Sequence, residues 1–296
     1  MIPPRGVLAA VDFSDTSRTA LVLAARFARQ CGAELHVLHA EDPLLSATAR
    51  HTGIDLARET DEELQRFIGS AWPAAECSPG RHVVTGDAVD VIIETAHRVQ
   101  AQVVVVGNRG MSGAERLVFG STTEGLLRRS DVSVLVAPAG WLPPRPDAPD
   151  LSGVGPVVAA VDLSDDPSLA GAKAACALAS VLGTSVAIVH VVPELTVLNR
   201  WRTHADIAVR DRVAAARQEL ELLIGGLGCS VPVEMIVEAG AVPNLVAEAA
   251  APVGDRARVL VLGKRTPGST GAAPGTTAYR VLSLASVPVL IYIADE

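Results

Sequence analysis

Short runs of branched apolar residues alternate along the chain with longer amphipathic segments. Runs such as "VLAAV" and "VVVV" contain no polar alternation, which is typical of central strands buried on both faces. Strands that alternate with helical segments indicate a parallel sheet with helices on both faces, and we predict an open α/β fold. In the first half, the predicted strands lie near 6–11, 34–39, 81–85, 102–107 and 133–137, and the predicted helices lie at about 17–31, 55–70, 88–99 and 121–129.

The second half repeats the first, block by block. The stretch "VLAAVDFSD" at 7–15 matches "VVAAVDLSD" at 157–165, and both halves close on an apolar run, "VSVLVAPA" and "VPVLIYIA". The chain of 296 residues is about twice the commonest domain length, so two domains are expected. We predict two tandem five-stranded parallel sheets, with a first domain at 1–140, a proline-rich linker at 141–155 and a second domain at 156–296.

Capping residues indicate where the first helix begins and ends, and the strand ends indicate where a ligand would bind. Ser17 is expected to cap this helix and Gly32 to end it. Ligands of open α/β sheets bind beyond the carboxyl ends of the strands. This rule directs attention to Asp12, after the first predicted strand, and to the loop that begins at Gly107, after the fourth.

Composition narrows the range of functions. The formal net charge is −8 at pH 7, which disfavours a surface made for nucleic-acid phosphates. The sequence has no run of about 18 apolar residues, and its start lacks an apolar stretch behind a basic head. We therefore expect a cytoplasmic protein that binds neither nucleic acid nor membrane.

Neither the cysteine spacing nor the hydrolase motifs we looked for indicate a metal site or a catalytic nucleophile. Cys31, Cys77, Cys176 and Cys229 are far apart, with no CxxC pair and no cysteine–histidine cluster at metal-binding spacing. We expect mostly buried thiols in a reducing compartment. Motifs such as GxSxG and HExxH are absent, so we predict no catalytic residue and no metal site.

The fourth predicted strand runs into a glycine-rich loop. The glycines of this loop are Gly107, Gly110, Gly113 and Gly120, and Ser121 and Thr122 follow directly. Glycines let a ligand approach the main chain closely, and the loop amides together with the start of the next helix form an anion site. An ordinary strand-to-helix loop with Ser121 as N-cap is the alternative. The spacing matches neither the P-loop nor GxGxxG.

This spacing carries a resemblance to a known family. The array Gly107-x2-Gly110-x9-Gly120-Ser121 resembles the ATP-binding signature G-2x-G-9x-G-(S/T) of the universal stress proteins. "AVDFSDTSRTAL", "HVLHAEDP" and "SDVSVLVAP" resemble the family's first strand and helix, second strand and closing strand. The resemblance covers nearly all of both halves, as in a tandem two-domain member. It implies a Rossmann-like strand order of 3-2-1-4-5 in each half and ATP, with Mg²⁺ as a candidate companion, across the ends of strands one and four.

The resemblance also implies a set of nucleotide contacts in the first half. Asp12 would lie near the adenine and ribose, the main chain around Ala40 would border the adenine, and the loop and helix start would hold the ribose and phosphates. The implied residues are Asp12, Ala40, Gly107, Asn108, Arg109, Gly110, Gly113, Gly120, Ser121 and Thr122.

Some of these polar residues have alternative roles. Asp12 can instead cap the strand-to-helix turn. Arg109 and Arg116 can approach phosphates or remain solvated on the loop. His39 and His190 recur at matching positions after the second strand of each half, and we expect packing or a backbone contact there rather than catalysis.

The second half departs from the signature. Its loop has the spacing Gly263-x2-Thr266-x8-Gly275-Thr276, which is one residue shorter and places Thr266 where Gly110 stands in the first half. A β-branched residue rarely tolerates positive φ, so we expect a weaker phosphate cradle. The implied contacts in this half are Asp162, Val191, Gly263, Gly275 and Thr276.

These observations together predict an ATP-binding regulator or sensor of the stress response. A slow ATPase and an ATP-free structural or dimerisation module of the same fold are the alternatives. The apolar closing strands would otherwise expose sheet edges, so we expect the two repeats to pair through them about a pseudo-twofold axis. Homodimers of the whole chain are a further option, and the sequence identifies no regulatory protein partner.

Overall fold

The structure is a computed structural model. It divides into two compact units, Ile2–Gly153 and Val154–Glu296. The residues that the structure describes are 4–72, 78–109, 119–143, 148, 150–151, 153–194, 202–253, 258–264 and 276–294.

In the first unit, five parallel strands alternate with helices. The strands lie in the order β3-β2-β1-β4-β5, as the family resemblance implied. The elements in chain order are β1 Gly6–Ala10, α1 Asp15–Cys31, β2 Glu34–Glu41, α2 Pro43–Thr52, α3 Leu56–Ala71, β3 Gly80–Thr85, α4 Ala88–Arg98, β4 Val103–Gly107, α5 Ser121–Arg129 and β5 Ser133–Ala137.

The second unit repeats this arrangement. Its strands are again all parallel and lie in the order β8-β7-β6-β9-β10, which is the same 3-2-1-4-5 order. The elements are β6 Val157–Ala160, α6 Asp166–Leu182, β7 Val186–Pro193, α7 Arg202–Gly226, β8 Val233–Gly240, α8 Val242–Ala250, β9 Val259–Lys264, α9 Thr276–Leu284 and β10 Val289–Ile293.

The central strands are buried on both faces, as their unbroken apolar runs predict. Val7, Leu8 and Ala9 of β1 are fully buried, and every residue of β4 is buried. With few aromatic residues in the chain, the core is built mainly from valine, leucine, isoleucine and alanine. The predicted strands and helices of the first half lie close to the observed ones.

In the first half, the helix α2 is absent from the sequence prediction. It begins after Asp42, whose carboxylate accepts a hydrogen bond from the Leu44 amide at 2.7 Å, and Pro43 occupies its first turn. It ends at Gly53, which has a left-handed φ of 72°.

The predicted cap of α1 is wrong, whereas its predicted end is confirmed. The N-cap is Ser14, whose hydroxyl accepts a hydrogen bond from the Ser17 amide at 3.2 Å, so Ser17 lies inside the first turn. The helix starts early because Phe13 adopts a left-handed φ of 64° and turns the chain directly after β1. Gly32 ends the helix with a φ of 65°.

Close helix–strand packing explains one glycine in each unit. A Cβ atom on Gly107 would lie 3.0 Å from the carbonyl carbon and oxygen of Thr16 in α1. A Cβ atom on Gly263, at the matching place in the second unit, would overlap the carbonyl oxygen of Pro167 in α6. Each helix therefore approaches its strand so closely that only glycine fits.

Candidate functional site

The carboxyl ends of the paired strands β1 and β4 carry the predicted site. Asp12 follows β1, and its Oδ1 atom accepts hydrogen bonds from the Ser14 amide at 3.1 Å and the Ser14 hydroxyl at 2.5 Å. Asp12 therefore does organise the strand-to-helix turn. It also lines a pocket beside that turn, so the structural role and the predicted ligand role fall on the same residue.

Aromatic contacts support this turn. The ring of Phe13 lies 4.4 Å from the ring of His39 and packs edge-on against Phe67, with 5.5 Å between the centroids. The Nδ1 atom of His39 donates a hydrogen bond to the carbonyl of Val11 at 2.9 Å.

The matching histidine of the second unit makes the same contact. Nδ1 of His190 donates to the carbonyl of Val161, also at 2.9 Å. The prediction of a backbone contact for His39 and His190 is therefore confirmed.

Hydrogen bonds tie together the two described ends of the glycine loop. The Gly120 amide donates to the carbonyl of Asn108 at 3.0 Å, and the Asn108 amide donates to that of Ala137 in β5 at 2.9 Å. The buried hydroxyl of Thr123 donates to the carbonyl of Gly107 at 2.8 Å. These bonds hold the start of α5 at the end of β4.

The first turn of α5 has no side-chain cap. Its N-cap is Gly120, in an extended conformation with φ −68° and ψ 152°, and Ser121 is the first helical residue. The alternative in which Ser121 is the N-cap is therefore wrong. The first amides of a helix have no partner within the helix and carry the positive end of its dipole. This helix start can therefore bind an anion.

These elements enclose a pocket of about 260 Å³ at the strand ends. It contains most of the residues predicted for the first half: Asp12, Ala40, Gly107, Arg109, Gly120, Ser121 and Thr122. Asn108 is not among the lining residues, and its buried Oδ1 atom accepts no hydrogen bond within the described part of the chain. Gly110, Gly113 and Arg116 lie outside the described residues. The nucleotide contacts implied for all of these residues stay predictions.

Several pocket residues were not predicted. They are mostly apolar: Ala10, Val11, Ser17, Leu38, His39, Ala88, Ile92, Val106 and Thr123. Ala88 and Ile92 are four residues apart on α4 and so share one face of that helix. The spacing after Asp87, the N-cap of α4, is the sequence signal that could have identified this apolar wall.

The second unit has a pocket of about 810 Å³ at the corresponding strand ends. Asp162, Val191 and Gly263 line it, and its wall includes Arg212 and Glu219 from α7; the nucleotide contacts implied for the first three stay predictions. The carboxylate of Asp162 accepts hydrogen bonds from the Ser164 amide at 3.1 Å and hydroxyl at 2.7 Å. The loop residues Thr266 and Gly275 and the side chain of Thr276 lie outside the described residues.

Metal-ligand clusters and membrane-spanning helices are both missing from the residues that the structure describes. In these parts of the chain, no group of three or more histidine, cysteine, aspartate or glutamate side chains is placed to hold a metal ion. None of the described helices is both long and apolar enough to cross a membrane.

The sequence was compared with protein families and individual proteins. Residues 4–138 match the Universal stress protein family. The universal stress protein YxiE of Bacillus subtilis (strain 168) is 28% identical over 142 residues, which cover 44% of this chain and 96% of YxiE. The stress response protein NhaX of the same organism is 39% identical over 54 residues, or 18% of this chain, and the match spans only 32% of NhaX.

A solved structure extends the likeness to both units. A universal stress protein from Archaeoglobus fulgidus DSM 4304 matches with a TM-score of 0.63 at 20% identity, and the match covers 97% of each chain. At this identity the likeness establishes a shared fold.

Proposed function

Because residues 4–138 match the Universal stress protein family, we propose that the first unit binds an adenine nucleotide, ATP, and acts as a nucleotide-dependent regulator in the stress response. The observation that carries the proposal is that one pocket contains both a carboxylate and a helix N-terminus, which attract different parts of a nucleotide. The Asp12 carboxylate stands at the end of β1, and the start of α5, which has no side-chain cap, stands at the end of β4.

The two groups suit different parts of a nucleotide. A carboxylate accepts hydrogen bonds from ribose hydroxyls or an exocyclic amine and repels phosphate. The amides of a helix start attract phosphate. We therefore orient the nucleoside towards Asp12 and the phosphates towards Gly120, Ser121 and Thr122.

The rest of the pocket suits a flat apolar base. Leu38, Ala40, Ile92 and Val106 contribute apolar surface on the side of β2 and α4. A pocket of mostly apolar walls with a few placed polar groups is typical of small-molecule sites. Any Mg²⁺ would be held chiefly by the phosphates and water, since Asp12 is the one carboxylate among the lining residues that the structure describes.

We propose binding and regulation rather than turnover. Among the lining residues, the two groups able to act as a base are Asp12 and His39, and both are engaged with the turn after β1. Hydrolysis needs a base positioned on a water, and the described residues offer no further one in this pocket. A cytoplasmic location stays a prediction.

The first experiment is to identify what the purified chain already carries. Protein is freed of small molecules by gel filtration and denatured, and the released nucleotides are identified by mass spectrometry. Protein emptied of ligand by refolding is then titrated with ATP and Mg²⁺ in a calorimeter, with GTP as the base control.

We expect ATP to be released or to bind with about one equivalent of high affinity, and phosphate release to stay far below about one per second. No released nucleotide together with no heat at millimolar ATP would exclude the binding proposal. Rapid ATP turnover would show that the protein is an ATPase rather than a regulator.

A further inference from the structure

Two cysteines of the second unit are in contact, although they are far apart in the sequence. Cys176 lies on α6, and Cys229 lies in the segment between α7 and β8. The Cys229 side chain lies close enough to Cys176 to raise the pKa of the Cys176 thiol. Both are free thiols.

The chain around Cys229 is held against α6 by its own turn and by a second contact. The Leu227 amide donates to the carbonyl of Ile224 at 3.1 Å, and Gly228 adopts a left-handed φ of 63° that reverses the chain. The Ser230 hydroxyl then donates to that of Ser180 at 3.5 Å. Because Ser180 is one helical turn from Cys176, the Cys229–Ser230 segment follows one face of α6.

The two thiols differ in access to solvent. Cys176 is buried, whereas Cys229 is partly exposed. Burial, followed by the nearby Cys229 side chain, raises the pKa of the Cys176 thiol to about 12. An oxidant therefore reaches Cys229 first, and Cys176 is the neighbouring thiol that can react with the oxidised Cys229.

We propose that Cys176 and Cys229 form a reversible disulfide when the protein meets a hydroperoxide, so that the second unit carries a redox modification site. The disulfide would join α6 to the segment that follows α7. Both helices contribute residues to the second pocket: Ser168 from α6, and Arg212 and Glu219 from α7.

The reaction balances with hydrogen peroxide as oxidant. The Cys229 thiolate attacks one peroxide oxygen, the O–O bond breaks, and hydroxide leaves to become water, which gives a sulfenic acid. The Cys176 sulfur then attacks the Cys229 sulfur, the S–O bond breaks, and the departing hydroxide takes the Cys176 proton as a second water. Two thiols are oxidised and one peroxide is reduced to two waters.

The first unit lacks the same pair. Aligning the helix ends at Gly32 and Gly183 places Ala25 of α1 opposite Cys176. The sequence "CS" at 77–78 corresponds to "CS" at 229–230, but its helix offers no cysteine at that position. Cys31, further along α1, therefore provides a matched control thiol.

The test uses the full chain, first fully reduced and then treated with a small excess of hydrogen peroxide. The remaining thiols are alkylated with N-ethylmaleimide in denaturant, counted by intact mass and located by non-reducing peptide mapping. The variants are Cys229→Ser and Cys176→Ala, with Cys31→Ser and Cys77→Ser as controls.

We expect oxidised wild-type protein to lose two of its four alkylatable thiols and to yield a cross-linked peptide that contains Cys176 and Cys229. Dithiothreitol should restore both thiols. Cys31→Ser and Cys77→Ser should keep the cross-link, and the other two variants should lose it. A cross-link through Cys77, a cross-link between chains, or four thiols after oxidation would overturn the proposal.

Discussion

The turn after β1 and the turn after β6 begin alike and end differently. In each, an aspartate Oδ1 atom accepts hydrogen bonds from the amide and hydroxyl of the serine two residues later. In the first unit that serine, Ser14, also caps α1, which starts at Asp15. In the second unit the N-cap is Asp165, without a side-chain cap bond, and α6 starts at Asp166.

The features that the two units share are those that the fold requires, so they do not by themselves indicate a ligand site. Gly107 and Gly263 both allow a helix to approach the end of a strand, so a glycine at this place is not by itself a sign of nucleotide binding. Asp12 and Asp162 both organise a turn. The full glycine spacing that ends on Gly120 and Ser121 belongs to the first half alone.

The largest expected effect tests the packing role of these glycines. Gly263→Ala should cost about 3 kcal/mol of stability or more, because the new methyl group would overlap the backbone of Pro167 in α6. Gly107→Ala should cost roughly 1 to 2 kcal/mol, because its closest contacts with Thr16 are at 3.0 Å.

Each loss should be confined to its own unit, which hydrogen exchange of peptides from β1 and β6 during urea unfolding can resolve. Gly69→Ala is the control, because this exposed helical glycine has open space around it. Equal costs for the two pocket glycines would contradict the packing comparison.

A smaller effect should come from the ligand. ATP with Mg²⁺ at about a hundredfold excess over its Kd should stabilise the unit that binds it by about 2.7 kcal/mol. We expect the gain mainly in the first unit, measured as slower hydrogen exchange in β1 and β4. Protection of β6 and β9 without protection of the first unit would reverse our assignment of the site.

The sequence predicted the strands well because buried parallel strands have few polar residues to obscure their pattern. It failed at α2 for the opposite reason. The leucines of that helix, Leu44 and Leu45, are 79% and 57% exposed, whereas its buried residues are Ser46 and Ala49. Apolar periodicity does not indicate a helix whose large apolar side chains face solvent.

The site was predictable where a loop motif defined it and less so where packing did. The glycine spacing identified Gly107, Gly120 and Ser121 as residues of one pocket. Thr123 was missed because its role, a hydrogen bond from inside α5 back to the carbonyl of Gly107, depends on how the helix is placed. Ser14 and Ser17 are both able to cap a helix, and the left-handed Phe13 between β1 and α1 decided between them.

The next prediction concerns the two phosphate cradles. Gly120→Asp puts a carboxylate where we place a phosphate, and it should weaken ATP binding at least tenfold, or about 1.4 kcal/mol. Gly275→Asp should alter only a weaker or absent binding phase, because the second loop lacks the full spacing.

Gly69→Asp is the matched control, since it adds the same side chain on an exposed face of α3. Calorimetric titration measures all three variants, after circular dichroism has shown that each is folded. Tight binding that survives Gly120→Asp and disappears with Gly275→Asp would show that the second loop is the principal site.

The smallest effect tests the two helix caps. Ser14→Ala removes the hydroxyl that accepts from the Ser17 amide and donates to Asp12, and it should cost the first unit about 1 kcal/mol. Asp165→Ala should cost less than Ser14→Ala, because the Asp165 side chain makes no cap bond to a helix amide that the substitution would remove. Unit-resolved hydrogen exchange measures both losses, and Ser14→Thr, which keeps a hydroxyl, should recover most of the first. If Asp165→Ala proved as costly as Ser14→Ala, the two N-caps would stabilise their helices equally, and the comparison of the two turns would be wrong.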